Sequence, residues 1–329
     1  MPEIMSQRIR GVLAPVVTPF KADLSPDCER FIRHCQWLVS QNCGLAVFGT
    51  NSEANSMSAE ERMKLLDALV AAGIDASRMM PGTGCCSITE TVQLTAHAVK
   101  HGCAGVLMLP PFYYKAVSEE GLYRYFSEVV QRVGDTRLKI YLYHIPPVAI
   151  VGVTPKLVKR LLKAYPNTIA GMKDSSGDWN NTKTLLDAFT SDGFDLFVGS
   201  ESFLLANMRN GGVGTISATA NVNPAAIHKL YREWNTADGA DNADRQQSKL
   251  DVVREVFSSR KFPSMIAALK QAIAIYGNDP EWIRLRPPLI ELTTEQAKLL
   301  AADLQAMGFV MAGIGTTAEP SERDKPDRR

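Results

Sequence analysis

Residues 105–146 read GVLMLPPFYYKAVSEEGLYRYFSEVVQRVGDTRLKIYLYHIP. Two short apolar, β-rich runs, GVLMLPPF (105–112) and KIYLYHIP (139–146), enclose SEEGLYRYFSEVVQRVG (118–134), whose apolar residues recur at helical period and which stops near a glycine. A helix of that length between two strands is the crossover that parallel strands require. The same alternation extends in both directions, through VLAPVVTPF (12–20), GLAVFGT (44–50), MMPGTG (79–84), TIAGMKDS (168–175), DLFVGSE (195–201) and GTISATAN (214–221). Helix-like stretches such as AEERMKLLDALVAAG (59–73) and ITETVQLTAHAVKHG (88–102) lie between them. Eight strands with eight crossovers predict an α/β fold, a closed (β/α)8 TIM barrel rather than an open sheet.

After residue 223 the pattern is helical without further clear strands: NPAAIHKLYREW, QQSKLDVVREVF, FPSMIAALKQAIAIYG and TTEQAKLLAADLQAMG. The expected organisation is 1–224 for the barrel strands and most helices, 225–312 for the last barrel helix and a C-terminal helical extension, and 313–329 for a disordered tail. TTAEPSERDKPDRR (316–329) has almost no large apolar residue with which to order itself.

The chain has 329 residues, 45% of them hydrophobic, enough for a large core. Lys and Arg total 36 against 35 for Asp and Glu, a net charge of +1, which lacks the basic excess that nucleic-acid binding needs. MPEIMSQRIRG at the N-terminus has no apolar core of a secretion signal, and no apolar run approaches the length of a membrane span. The expectation is a cytoplasmic protein with no membrane partner. The six cysteines (Cys28, Cys35, Cys43, Cys85, Cys86, Cys103) form no CxxC pair and read as reduced, mostly packed thiols. His34 between Cys28 and Cys35 matches no usual zinc spacing, so no metal is expected.

In such a barrel, catalytic residues collect at the C-terminal ends of the strands. The polar residues there are Thr18, Thr50, Asn51, Ser52, Glu53, Thr83, Tyr113, Tyr114, Tyr143, His144, Lys173, Asp174, Ser200, Glu201 and Ser217. Lys173 closes the apolar strand TIAGM, which points its amine into a walled cavity where desolvation favours a neutral nucleophile. The competing reading is a lysine that snorkels from a strand end to water. Tyr143, at the end of the neighbouring strand, is either a proton shuttle for a carbinolamine or a core tyrosine with one hydrogen bond. Its position beside Lys173 favours the first.

These residues sit in motifs. APVVTPF (14–20), GTNSEANSMSAEER (49–62), PPFYY (110–114), YLYHIP (141–146), GMKDSSGD (171–178), VGSES (198–202) and GGVGTISATANVNP (211–224) together resemble the dihydrodipicolinate synthase and N-acetylneuraminate lyase superfamily, over roughly residues 8–300. The resemblance implies a class I, pyruvate-dependent aldolase or lyase acting on a 2-oxo acid, with no cofactor and no metal. It makes Lys173 the Schiff-base lysine and Tyr143 the tyrosine that relays protons. It gives Thr50 the first hydroxyl of a loop that holds the pyruvate carboxylate as an anion nest, and it adds Asn51, Ile216, Gly199 and Ser200 as substrate contacts. Tyr113 matches an aromatic that reaches a neighbouring subunit's site, with Tyr114 a second candidate because the spacing to EEGLY (119–123) is one residue long. A homotetramer built as a dimer of dimers is implied as well.

Three departures shape the substrate expectation. Where synthases carry a serine and a carboxylate-anchoring arginine after the fifth strand, this chain has Pro147 and Val148, and an apolar valine cannot replace a guanidinium fork. Asn51 stands where synthases have a second relay threonine, and an amide cannot pass a proton on. Ser52 replaces a glycine, so any positive φ there must be strained or absent. Aldol cleavage to pyruvate therefore leads. Dihydrodipicolinate synthase, a keto-deoxy sugar acid dehydratase or aldolase, and a non-catalytic pyruvate-binding regulator are the alternatives. Glu53 reads as a loop-fixing carboxylate, Asp178 as a helix cap, and Arg284 and Arg286 as surface or subunit contacts.

Overall fold

The computed structural model describes residues 8–315. Its centre is a sheet of seven parallel strands: β1 (Gly11–Ala14), β2 (Gly44–Leu45), β3 (Val106–Met108), β4 (Ile140–His144), β5 (Ile169–Asp174), β6 (Asp195–Val198) and β7 (Gly214–Ile216). Their spatial order is β2-β1-β7-β6-β5-β4-β3, every neighbouring pair parallel. The eighth run, 79–84, is not a full strand. It joins the two edge strands by single parallel bridges, Leu45 to Met79 and Gly82 to Leu107, with Met80 N–H donating to Leu45 at 2.8 Å and Leu107 N–H to Pro81 at 2.9 Å. The curl is thereby closed into the barrel. Gly82 is what the closure demands, because a Cβ there would lie 2.2 Å from the Phe48 carbonyl oxygen.

Helices cover the outside: α1 (Cys28–Ser40), α2 (Ala59–Ala71), α3 (Ile88–Lys100), α4 (Glu119–Val133), the single turn α5 (Pro146–Ala149), α6 (Pro155–Ala164), α7 (Trp179–Phe189), the short α8 (Leu204–Arg209) and α9 (Pro224–Glu233). Local chemistry sets their ends. Ser58 and Glu61 form a reciprocal capping box on α2, Ser118 caps α4, and Gly134 ends α4 in the left-handed region. Three more helices follow, α10 (Ala243–Phe257), α11 (Met265–Tyr276) and α12 (Thr294–Ala306), and α10 and α11 both reach back to the barrel mouth. Residues 313–315 belong to a short turn after α12, where Trp37 Nε1 donates to the Ala312 carbonyl at 2.9 Å. The rest of the tail, 316–329, lies outside the described residues.

Strand alternation sorts the core into two layers. Ile140 and Leu142 pack outward against the helices, while Tyr141 and Tyr143 fill the barrel interior with Leu13, Leu107, Phe197 and Ile216. In the register of the sheet, Tyr143 pairs with Lys173 and Lys173 with Phe197. One period therefore places phenol and amine side by side at the barrel's C-terminal end.

Candidate active site

Lys173 is 3% exposed and its amine donates to the Tyr143 hydroxyl at 3.3 Å. The amine also lies 4.4 Å from the centroid of that ring. The Tyr143 hydroxyl is in turn 3.4 Å from Thr50 Oγ1, so amine, phenol and hydroxyl form a chain from β5 through β4 to the loop after β2. A cavity of about 250 Å³ opens over them and is lined by Thr50, Asn51, Tyr143, Lys173, Gly199 and Ser200 among others. Gly199 owes its identity to crowding: a Cβ there would meet Ser175 Oγ at 1.9 Å.

Three expected residues are elsewhere. Ile216 is fully buried within the inner core layer and does not line this cavity. Tyr113 and Tyr114 are 72% and 74% exposed, pack edge to face on each other with ring centroids 5.3 Å apart, and do not line it either. Within one chain neither tyrosine is brought to Lys173. Val148 sits on α5 at the cavity rim, 60% exposed.

The loop bearing Thr50 and Asn51 is fixed from below. Thr18 Oγ1 donates to the Ser52 carbonyl at 2.8 Å, and Gly49 N–H donates to Ser52 Oγ at 3.2 Å. Ser52 has no positive φ, and the left-handed residue of the loop falls one position later, at Glu53 (φ 56). Its carboxylate holds that conformation by accepting from the Lys270 amine and from Arg286 N–H at 3.0 Å. Both side chains of the Glu53–Lys270 pair are fully buried. Burial pushes the Lys270 pKa down to about 8, against the opposing pull of Glu53. Arg286, read as a surface residue, instead pairs with Glu61 and donates to the Ser56 carbonyl, which braces the same loop.

On the opposite rim, Glu201 is buried and accepts from Ser217 Oγ, Thr219 Oγ1 and Arg254 Nη1, the last at 2.8 Å. Arg254, from α10, lines the cavity; the sequence offers no sign of it beyond one arginine on an amphipathic helix. Asp174 is buried and tied up, accepting from Ser176 N–H, Asn181 Nδ2 and Thr182 Oγ1. Ser200 accepts from Ser202 N–H and Asp178 from Asn180 N–H, each capping the turn or helix that follows.

His144 accepts a hydrogen bond from Val153 N–H at 2.9 Å through Nδ1, and burial holds its pKa below the ordinary value. Among the described residues the one His/Asp group with converging ligand atoms is Asp67, His97 and His101, on α2 and at the end of α3, and none of the three lines the cavity. Of the cysteines, Cys85 is buried against Arg62, whose Nη2 donates to it at 2.9 Å, and Cys86 is exposed. No helix among the described residues is long and apolar enough to cross a membrane.

Comparison with known proteins meets this geometry. An uncharacterised DapA-like lyase of Chloroflexus aurantiacus is 32% identical over 307 residues, covering 92% of this chain and 98% of its own. The crystal structure of dihydrodipicolinate synthase from Agrobacterium tumefaciens superposes with a TM-score of 0.80 at 32% identity, covering 91% of this chain and 99% of that one. YagE, an Escherichia coli K12 prophage protein of the dihydrodipicolinic acid synthase family solved in complex with pyruvate, gives a TM-score of 0.82 at 27% identity, covering 92% and 99%. The profile of the Dihydrodipicolinate synthetase family matches residues 8–307, nearly all that the structure describes, and the chain belongs to that family of α/β-barrel lyases.

Proposed function

We propose that this protein is a class I aldolase or lyase that works on a 2-oxo acid through a Schiff base on Lys173, with pyruvate as product or donor. The single observation carrying the reading is the chain of Lys173 amine, Tyr143 hydroxyl and Thr50 hydroxyl at the floor of an open cavity. Among the described residues the buried Lys173 amine has no carboxylate partner, and the Tyr143 phenol is its one hydrogen-bonding neighbour. That is the setting of a nucleophile rather than of a structural ion pair.

The steps follow from the groups present. The neutral amine adds to the ketone carbon, the Tyr143 hydroxyl protonates the departing carbinolamine oxygen, and water leaves an iminium. The bond between carbons 3 and 4 then breaks, with its electron pair drawn into the iminium to give an enamine. The Tyr143 phenolate left by the dehydration takes the proton of the carbon-4 hydroxyl, and an aldehyde departs. Protonation at carbon 3 and hydrolysis release pyruvate and restore Lys173; read backwards, the same steps condense pyruvate with an aldehyde. Thr50 supports Tyr143 in passing protons, and the Asn51 amide is suited to holding a carboxylate without joining the relay.

A homotetramer belongs to the same reading. Its support is the exposed Tyr113–Tyr114 pair, a large aromatic surface that a second copy would cover. Val148 at the rim keeps dihydrodipicolinate synthesis second, since no guanidinium comes from that side of the cavity.

Incubation with pyruvate and borohydride, followed by intact mass and peptide mapping, tests the claim. The expected result is one pyruvate-derived adduct on Lys173 that is absent from Lys173→Ala. An unmodified wild-type chain, or an adduct mapping to another residue, overturns it.

A further inference from the structure

We infer that Arg254 makes a second anion subsite in the Lys173 cavity, which selects 2-oxo acids bearing a carboxylate at the end remote from the keto group. The inference rests on the aldolase reading for the keto end, and its own evidence lies at Glu201 and Arg254, beyond the end of β6. Arg254 rises from α10, outside the eight strand ends, yet its side chain lines the same cavity as Lys173.

Two features make it a binding group rather than a brace. Its Nη1 donates to Glu201 at 2.8 Å and to Ser217 Oγ at 3.2 Å, whereas Nε and Nη2 have no acceptor among the described residues. The side chain is 21% exposed and lines the cavity, where those donors are open to a ligand. An arginine left with part of its fork unmatched in a cleft is suited to a planar, two-oxygen acceptor.

The second feature is how firmly the fork is held. Glu201 accepts from Ser217 and Thr219 as well as Arg254, so both its oxygens are engaged and it serves to position the guanidinium. Two turns earlier on α10, Gln247 donates to the Glu201 carbonyl at 2.9 Å and accepts from Leu205 N–H at 3.1 Å, pinning the helix to the rim. Glu201 cancels much of the net charge of Arg254. Selection therefore comes from directed donors more than from long-range attraction, and it should depend only weakly on salt.

The position also answers a question the sequence raises. Val148 puts an apolar side chain on the rim after β4, where a synthase-type arginine is expected, and Arg254 supplies a guanidinium to the same cavity from α10. The ligand class is a dicarboxylic 2-oxo acid, or in the condensing direction pyruvate with a carboxylate-bearing aldehyde.

The test is calorimetric binding of 2-oxoglutarate against 2-oxopentanoate, acids of equal chain length that differ in the terminal carboxylate. Wild-type protein is expected to prefer 2-oxoglutarate by roughly 30-fold or more, the scale of a charge-assisted bidentate contact. In Arg254→Met the ratio should collapse to within about threefold, and in Arg254→Lys, which keeps the charge and the Glu201 partner but loses the fork, it should fall roughly tenfold. Equal affinities in the wild type, or a ratio that survives either substitution, overturn the subsite. The lysine variant decides the matter if the methionine variant does not fold. Borohydride trapping is scored separately: a protein that shows the ratio but traps no adduct keeps the subsite and loses the aldolase reading, and one that traps pyruvate without the ratio does the reverse.

Discussion

Tyr143 stands between two groups, its hydroxyl 3.3 Å from the Lys173 amine and 3.4 Å from Thr50 Oγ1, and among the described residues it is their one hydrogen-bonded link. Adjacent positions on paired strands place the first two in contact, and the loop after β2 delivers the third. In the proposed mechanism a group so placed delivers a proton to the carbinolamine oxygen and recovers one later. Tyr143→Phe keeps the ring that packs in the barrel and removes only the hydroxyl. Turnover in a pyruvate-release assay is expected to drop by about 10²- to 10⁴-fold, while borohydride still traps a Lys173 adduct after long incubation. A phenylalanine variant with wild-type turnover would remove Tyr143 from the mechanism.

Part of this site is readable in the sequence because strand and loop grammar is local. The apolar run TIAGM leading into Lys173 and the run ending in Tyr143 announce buried strands, and a parallel barrel gathers their ends at one mouth. The run at 79–84 is less legible. It closes the barrel with single bridges and a glycine pressed on the Phe48 carbonyl, so backbone approach replaces the side-chain alternation that marks a strand. Arg254 and Glu201 meet across 53 residues, and no local pattern reports a contact made when a later helix folds back over the mouth. Lys270 did leave a trace. It is the one charge in MIAALKQAIAIY, and a lone lysine in a helix that apolar has to find a buried acid or leave the core.

The acid it finds is Glu53, and their pair ties α11 to the loop carrying Thr50 and Asn51. Breaking one side strands the other charge in the core. Lys270→Met or Glu53→Gln alone should each cost about 3–5 kcal/mol of unfolding free energy, whereas the double replacement should recover a large part of that loss. Denaturant melts of the three variants check this. Additive losses in the double variant would mean the two residues act independently and the buried pair is no unit.

Tyr113 and Tyr114 present two adjacent rings to solvent on the single chain. If a second copy covers them, charge on that face is incompatible with assembly, because a carboxylate would be buried without a partner. Analytical ultracentrifugation should give a four-chain mass for the wild type and a smaller one for the Tyr113→Asp, Tyr114→Asp double variant. A wild type that sediments as a single chain at micromolar concentration would end the tetramer reading.

His34 gives the fold a dependence on pH that lies away from the Lys173 cavity. It is buried between Trp37 and Trp282, ring centroids 5.5 Å and 5.1 Å away, with neither ring nitrogen in an aligned hydrogen bond. Burial pushes its pKa from 6.5 down to about 4, against a smaller opposing contribution from Asn221. Between those values the unfolded chain binds a proton that the folded one refuses. Stability is therefore lost as pH falls from 6.5 towards 4, by roughly 3 kcal/mol if His34 acted alone. Carboxylates add their own acid dependence, so the informative quantity is the difference between wild type and His34→Phe, which keeps an aromatic ring between the two tryptophans. The variant should lose less stability than wild type between pH 7 and pH 4. Parallel curves across that window would mean that His34 takes up its proton without unfolding the chain.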